Sequence, residues 1–406
     1  MKKILVINQP TGNRGDESAH KALIRSLAAR FPNFLFRIVF FGEERISIGT
    51  MIVDLPNVEY ASIPPFRGKT RLPRLLYRYN LESLLDFHPA YRKIKKEIND
   101  SDYVICAPGG ICMGGFMNWN HIHLLLTSKR LGKHVAYYSR SFGPFSETNS
   151  YNKKFKRLSV GLLRSFDFLS IRDRKSMKIA EELNITYTPS IDSAFLEKLS
   201  FQIPGDINRY LNYNDYILFV PNSLTWHPHY RSCNQCEIDN FYLEIIKLIS
   251  SKFPSSSIIM MPQLYGQKAG DYEYFLRLKE MASDITDIHV LNDSISSDIQ
   301  QAIMKSAKLA IGARYHSIIF AINNEVPFVS LSYEHKMFGM LSELNLESRQ
   351  VDITGIGQNT FCLDSCLSKI SRIIDEGYFD ASDRSKSATQ LALNCFNKFA
   401  CRLVDR

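Results

Sequence analysis

The sequence predicts an α/β protein built from two doubly wound parallel sheets, one after the other along the chain. Three observations predict it. Short apolar runs alternate with helical patterns almost throughout, as parallel α/β layers require. The alternation breaks once, in a polar, Asn-rich stretch around residues 201–214, and then restarts. The chain has 406 residues, more than one core of ordinary size takes up. The expected division is a first domain over 1–200, a second over 201–380 and a helical tail over 381–406.

The elements follow in order. Residues 3–8 read as a first buried strand. Residues 17–31 read as a helix, because Ala19, Ala22, Leu23, Leu27 and Phe31 share one face at helical spacing. Residues 34–41 form the next strand. An irregular basic region leads to one helix over 84–98. A strand over 103–107 ends in Pro108-Gly109-Gly110, and a helix over 122–131 precedes a strand over 135–139. A helix over 153–165, a strand over 168–172, a helix over 175–183 and a short strand over 185–188 complete the first half. The second half predicts strands at 216–220, 257–261, 288–291, 309–312 and 327–331. Its helices fall at 240–252, 272–281, 298–305, after Tyr333, and at 387–404.

Composition narrows the function classes. Hydrophobic residues make up 45% and charged residues 22%, which fits a packed globular chain and argues against disorder. No run of about 18 apolar residues occurs, so no membrane-spanning helix is expected. Met1-Lys2-Lys3 imitates the start of a signal peptide, but the apolar stretch after it ends at Ile7. That is too short for an export signal. The 8 cysteines are scattered and are expected to be reduced thiols, which places the protein in the cytoplasm. The net charge of +9 suits an anionic partner: a phosphorylated substrate, nucleic acid or the inner face of a membrane. A merely solvated basic surface accounts for it equally well.

In doubly wound sheets, ligands bind beyond the carboxyl ends of the strands, and two such sheets are expected to share a cleft there. The residues just after strands are therefore the candidates. The first turn reads Asn8-Gln9-Pro10-Thr11-Gly12-Asn13-Arg14-Gly15-Asp16-Glu17. Its glycines permit close backbone approach, and the helix that follows offers free N–H groups to an anion. Asn13, Gly15 and Asp16 are the binding candidates; Asp16 as an ordinary helix cap is the plain alternative. The turn is neither a dinucleotide fingerprint nor a P-loop. Gly109 and Gly110 open a second glycine-rich loop, which reads as a ligand wrap or a surface loop. Arg172 ends a strand, and a guanidinium suits carboxylate or phosphate. The most informative segment, Gly312-Ala313-Arg314-Tyr315-His316, sets a cation and an imidazole at the start of an apolar helix. A histidine proton moves near neutral pH, so His316 is the acid/base candidate. Tyr333, Glu334 and Lys336 follow the next strand and extend the candidate site.

Two other segments compete for attention. His227, His229, Cys233 and Cys236 have metal-binding side chains, but they are all local, whereas zinc sites usually draw pairs from separate elements. A mobile loop is the preferred reading, and no metal is expected. The basic, aromatic stretch 66–79 fits an anionic membrane surface, a lipid-linked acceptor or a solvated insertion. No nucleic-acid module accompanies it, so no nucleic-acid partner is expected.

The order of these motifs resembles the polysaccharide pyruvyl transferase family. The pieces are Asn13-Arg14-Gly15-Asp16-Glu17, Pro108-Gly109-Gly110, Ser141-Phe142-Gly143-Pro144, Arg172-Asp173 with Ser176, Asp192-Ser193-Ala194, and Arg314-Tyr315-His316 with Pro327 and residues 333–336. The resemblance covers roughly residues 3–345. It implies a GT-B-like fold of two Rossmann-like domains facing a cleft, with the acceptor on the first and the donor on the second. It implies phosphoenolpyruvate as donor, no cofactor, and a saccharide acceptor, free or lipid-linked, in exopolysaccharide or capsule biosynthesis at the cell envelope. It implies that Arg172 and Arg314 hold the donor and that His316 moves the proton. A nucleotide-sugar glycosyltransferase of the same architecture is the alternative. Tyr315 departs from the family pattern, which often has a smaller aliphatic residue there.

Overall fold

The computed structural model describes all residues except 44–45, 198–200, 210, 212–214, 228–229, 266–269, 359–360, 378–380 and 405–406. The chain forms two compact units. The first comprises residues 1–11, 16–197 and 389–406, and the second comprises 12–15 and 198–388.

The first unit carries β1 (Lys3–Ile7), α1 (Arg14–Arg30, whose first two residues count with the second unit), β2 (Leu35–Phe41), β3 (Val58–Ile63) and α2 (Arg71–Arg78). There follow α3 (Pro89–Asn99), β4 (Tyr103–Cys106), α4 (Trp119–Arg130), β5 (His134–Tyr137), α5 (Ser150–Ser165), β6 (Phe168–Ile171), α6 (Arg174–Glu182) and β7 (Thr188–Pro189). Its seven-stranded sheet has the order β3-β2-β1-β4-β5-β6-β7. All neighbouring strands pair in parallel. Helices must then cover both faces, so the central strands are apolar without alternation. Leu5, Val6, Ile7, Val104 and Ile105 have no exposed surface.

The second unit carries α7 (Gly205–Asn208), β8 (Tyr216–Val220), α8 (Gln235–Lys252), β9 (Ser257–Met260), α9 (Asp271–Met281), β10 (Ile288–Val290) and α10 (Ser297–Lys305). Next come β11 (Leu309–Gly312), α11 (Tyr315–Asn323), β12 (Phe328–Ser332), α12 (His335–Glu343), β13 (Gln350–Asp352) and α13 (Leu363–Asp375). The six-stranded sheet has the order β10-β9-β8-β11-β12-β13, again all parallel. Fully buried Leu218, Phe219, Ile311 and Val329 form its core, and each such side chain contributes about 1.5–3 kcal/mol. The last helix, α14 (Ser382–Val404), belongs to both units. Ser385 donates to the Asn323 carbonyl at 3.5 Å in the second. Phe399 packs on Phe168 at 5.0 Å and Tyr138 at 5.2 Å in the first.

Three expectations need correction. The helix expected over 84–98 is a 3₁₀ turn, Glu82–Phe87, followed by α3. Pro89 starts the helix, His88 is its N-cap, and a proline cannot continue a preceding helix. The region read as irregular holds β3 and α2; its basic composition hid Pro73 and Tyr77, which are buried, and Leu72 and Leu76, which pack on the core. Strand β13 and helix α13 were not anticipated, because three residues are too few to show a strand pattern.

Candidate functional site

In the second unit the strand order reverses between β8 and β11. That is where an open parallel sheet leaves a crevice beyond its strand ends. Arg314 follows β11 there and is the N-cap of α11. The Arg314 side chain is almost wholly buried and ion-paired through Nη2 with Asp271. Its guanidinium carbon lies 5.7 Å from the Trp226 ring centre, and among the described residues its Nε has no hydrogen-bond partner. Burial alone would lower the Arg314 pKa, but the Asp271 carboxylate outweighs it, so the group holds its proton more tightly than usual. Asp271 Oδ2 also accepts from the backbone N–H groups of Gln263 at 3.0 Å and Leu264 at 2.9 Å. One carboxylate thus fixes both Arg314 and the loop after β9. Nothing in the sequence pattern marks Asp271 except its place at the start of α9.

His316 is buried in the first turn of α11, its ring 5.0 Å from that of Tyr315. Gly15 lies against it, at the end of a turn over residues 12–15. The Asn13–Leu264 bridge and the bonds from Arg14 N to Gln263 O (2.8 Å) and Tyr265 N to Gly12 O (3.0 Å) hold this turn. The Arg14 guanidinium sits 3.7 Å from the Tyr265 ring centre. Gly15 meets the imidazole so closely that a Cβ there would stand 1.8 Å from His316 Cγ. The glycine expected to admit a ligand's backbone approach therefore admits a histidine ring. Asn13 Oδ1 accepts from Gly15 N at 2.8 Å, so Asn13 turns the chain into α1. Asp16 lies inside the first turn of that helix, in the first unit, and is not its cap.

Tyr333, Glu334 and Lys336 follow β12. Tyr333 is buried, which pushes its phenol pKa well above the usual value. Its ring meets His227 edge-on at 5.9 Å. Burial would raise the Glu334 pKa, but the Lys336 charge, with hydrogen bonds from Tyr333 and Lys336, holds it below the usual range. Lys336 Nζ is 3.2 Å from Glu334 and 5.4 Å from the Tyr315 ring centre. The second unit therefore gathers Arg314, His316, Tyr333, Glu334 and Lys336 around the ends of β11 and β12, with Gly15 beside His316 and Asn13 in the same turn as Gly15.

In the first unit, Arg172 is buried against Asp192, which has no exposed surface. Asp173 caps α6 by accepting from Ser176 N at 2.9 Å. The Gly109 backbone bridges to Arg140, and a Cβ on Gly109 would stand 2.5 Å from Pro10 Cγ. Gly110 faces open space. Arg140 was not singled out in the sequence, although it follows β5 closely and the strand-end rule points at it.

Among the described residues no group of three or more His, Cys, Asp or Glu is placed to hold a metal ion. His227 packs on Tyr230 and Tyr333, Cys233 donates toward Ile356 O at 3.5 Å, and Cys236 N donates to the Asn234 cap at 3.0 Å. His229 lies outside the described residues. No described helix is long and apolar enough to cross a membrane.

Comparison with known proteins adds the family. The sequence profile of the polysaccharide pyruvyl transferases matches residues 13–335. The chain is 22% identical to the amylovoran biosynthesis protein AmsJ of Erwinia amylovora, over 92% of each chain. Its fold is similar to a UDP-GlcNAc 2-epimerase from Neisseria meningitidis, with a TM-score of 0.56, 10% identity and full coverage of both chains. It is also similar to a Siraitia grosvenorii glycosyltransferase solved with UDP, with a TM-score of 0.57, 10% identity and full coverage of both chains. The two parallel α/β units are thus those of a GT-B-like fold.

Proposed function

The chain belongs to the polysaccharide pyruvyl transferase family, and we propose that it moves a pyruvyl group from phosphoenolpyruvate onto a saccharide of a cell-surface polysaccharide or its lipid-linked precursor. A role in exopolysaccharide biosynthesis agrees with its similarity to AmsJ. The observation that carries the donor reading is the pairing of buried Arg314 with His316 in one turn at the strand-order reversal of the second unit. Arg314 keeps its charge against Asp271, and its Nε, without a partner among the described residues, is open to a donor oxygen. Tyr333, Glu334 and Lys336 complete the binding surface in this reading. Arg172, ion-paired with Asp192, is the second cation that this reading assigns to the donor.

The reaction proceeds by proton transfer and addition. His316 delivers a proton to the methylene carbon of the enol phosphate, and the adjoining carbon becomes electrophilic. One sugar hydroxyl adds there and loses its proton. Phosphate departs with its bridging oxygen, and a second hydroxyl of the same sugar closes the cyclic ketal. Cations held in a buried site stabilise the developing charge more strongly than water does. Acid–base assistance by His316 contributes about 10²–10⁴-fold. The scheme calls for no cofactor and no metal.

Peripheral contact with an anionic membrane surface through residues 66–79 belongs to the same proposal. Arg71, Arg74, Arg78, Leu75 and Tyr79 are all exposed along α2 and its end, while Pro73 and Tyr77 face inward. Basic and apolar groups on one helical face suit a lipid headgroup boundary.

The test is incubation with phosphoenolpyruvate and a panel of glycosides of galactose, glucose and mannose, read by mass spectrometry. A product heavier by pyruvate less water, with equal phosphate release, supports the proposal. Its His316→Ala variant should bind phosphoenolpyruvate without turnover. The same residues could instead cradle a nucleotide diphosphate, and glycosyl transfer from a UDP-sugar would establish that second reading.

A further inference from the structure

We infer that the first unit holds a separate binding cavity for an anionic saccharide, meaning a sugar that carries a carboxylate or a phosphate. The cavity measures about 640 Å³, inside the range of ligand pockets. It opens beyond the carboxyl ends of β1 and β4, where the strand order of that sheet reverses. Its lining includes Gln9, Asn118, Asn120 and Arg140.

Two buried side chains of this lining are incomplete. Arg140 is 1% exposed. It donates to the carbonyls of Asn8 at 2.9 Å and Ala107 at 2.6 Å, and to the sulfurs of Cys112 at 3.1 Å and Cys106 at 3.8 Å. None of these is a carboxylate, and among the described residues Arg140 Nε has no partner. A guanidinium removed from water without a counter-charge is costly, and an anionic ligand removes the cost. Gln9 is 9% exposed, and among the described residues neither its amide oxygen nor its amide nitrogen has a partner. A buried primary amide offers one acceptor and two donors, the pattern that a sugar's hydroxyls satisfy. The start of α4 adds to the anion preference. Asn118 caps it through His121 N at 3.0 Å, and the first-turn residues Trp119, Asn120 and His121 line the same cavity.

Among the described residues, a guanidinium with no hydrogen-bonded carboxylate and an amide with no partner share one cavity, and together they specify charge and hydroxyls in the same ligand. Nothing in the donor reading uses these residues. The role of the cavity as acceptor site rests on the proposed reaction, whereas the binding itself does not.

The experiment is thermal denaturation of the full chain with D-glucuronate, glucose 1-phosphate, glucose or phosphoenolpyruvate. Both anionic sugars should raise Tm by more than glucose does. A shift with only one of them still supports the site and identifies the charged group. Gln9→Leu removes a partnerless amide, so the ligand-free Tm should rise by about 2–4 °C. The same substitution should weaken anionic-sugar binding by about tenfold or more. Arg140→Lys keeps the charge but loses the Nε donor, and should weaken binding too. An equal shift with glucose overturns the anionic part of the inference. A Gln9→Leu variant that binds anionic sugars like wild type, or that melts lower without ligand, overturns the site. Phosphoenolpyruvate binding that is lost in Gln9→Leu would make the cavity a donor site and overturn it as well. A glucuronate shift without any phosphoenolpyruvate shift would leave this site standing and remove the donor reading.

Discussion

Substituting Gly15 by Ala isolates the placement of His316. A Cβ built on Gly15 stands 1.8 Å from His316 Cγ and 1.9 Å from Nδ1, and real Cβ contacts stay beyond 3.0 Å. The ring or the turn must therefore retreat by at least 1.2 Å, the difference between 3.0 and 1.8. Two opposing effects bear on stability. Gly15 lies in the first turn of α1, where alanine is the better helix former by about 0.5–1 kcal/mol. Overpacking a filled site costs about 1–3 kcal/mol, so the clash wins. The variant should melt a few degrees lower and remain folded. A displacement of about 1 Å at a reacting group costs about 10²-fold. Phosphate release with a competent acceptor should therefore fall about 100-fold in kcat, with little change in phosphoenolpyruvate binding because Arg314 is untouched. A Gly15→Ala enzyme with wild-type kcat, or with a higher Tm, would refute the placement of His316 as the proton-transfer group.

Further outcomes follow from the buried charges. Asp271→Asn should destabilise the second unit by about 3–5 kcal/mol and weaken donor binding, measured by denaturant unfolding and calorimetry, because Arg314 loses its counter-charge. Arg172→Ala should destabilise by a similar amount, because buried Asp192 loses the Arg172 charge, while Arg172→Ala with Asp192→Ala should recover part of that loss. Stability should also fall in acid. Burial, with a smaller push from Lys21, depresses the His20 pKa to about 3, and burial takes His123 to about 4. The unfolded chain then binds protons that the folded chain refuses, so stability is full above about pH 6.5 and is lost as pH falls toward those values. At pH 5 each histidine should remove about 2 kcal/mol, and His20→Leu should flatten the dependence of Tm on pH between 7 and 5. Equal Tm values for the wild type at pH 7 and pH 5 would contradict this.

The fold was largely legible because buried parallel strands are continuous apolar runs. Ile4 to Ile7, Tyr216 to Val220 and Leu309 to Gly312 announce themselves, and the helices between them carry 3.6-residue periodicity. What escaped did so for local reasons. Pro89 divides a helix that apolar spacing alone would join, and α2 hides its buried Pro73 and Tyr77 among arginines. The candidate site was legible as far as strand ends reveal it, which sufficed for Arg314 and His316. Asp271 and Asp192 were not marked as partners, because a carboxylate that reaches a distant arginine leaves no local pattern. Gly15 was singled out as a place of close approach; that the approaching group is the His316 ring depends on tertiary packing, which spacing does not encode.

The most direct test of the central claim is thermal stabilisation of the full chain by phosphoenolpyruvate, with UDP-glucose and UDP-N-acetylglucosamine as comparisons. A ligand that binds only the folded state raises stability by RT ln(1 + [L]/Kd), so a concentration series gives the affinity. Phosphoenolpyruvate should raise Tm, Arg314→Ala should abolish the shift, and His316→Ala should preserve it. Stabilisation by the UDP-sugars with none by phosphoenolpyruvate would contradict pyruvyl transfer and make glycosyl transfer the reaction of this site.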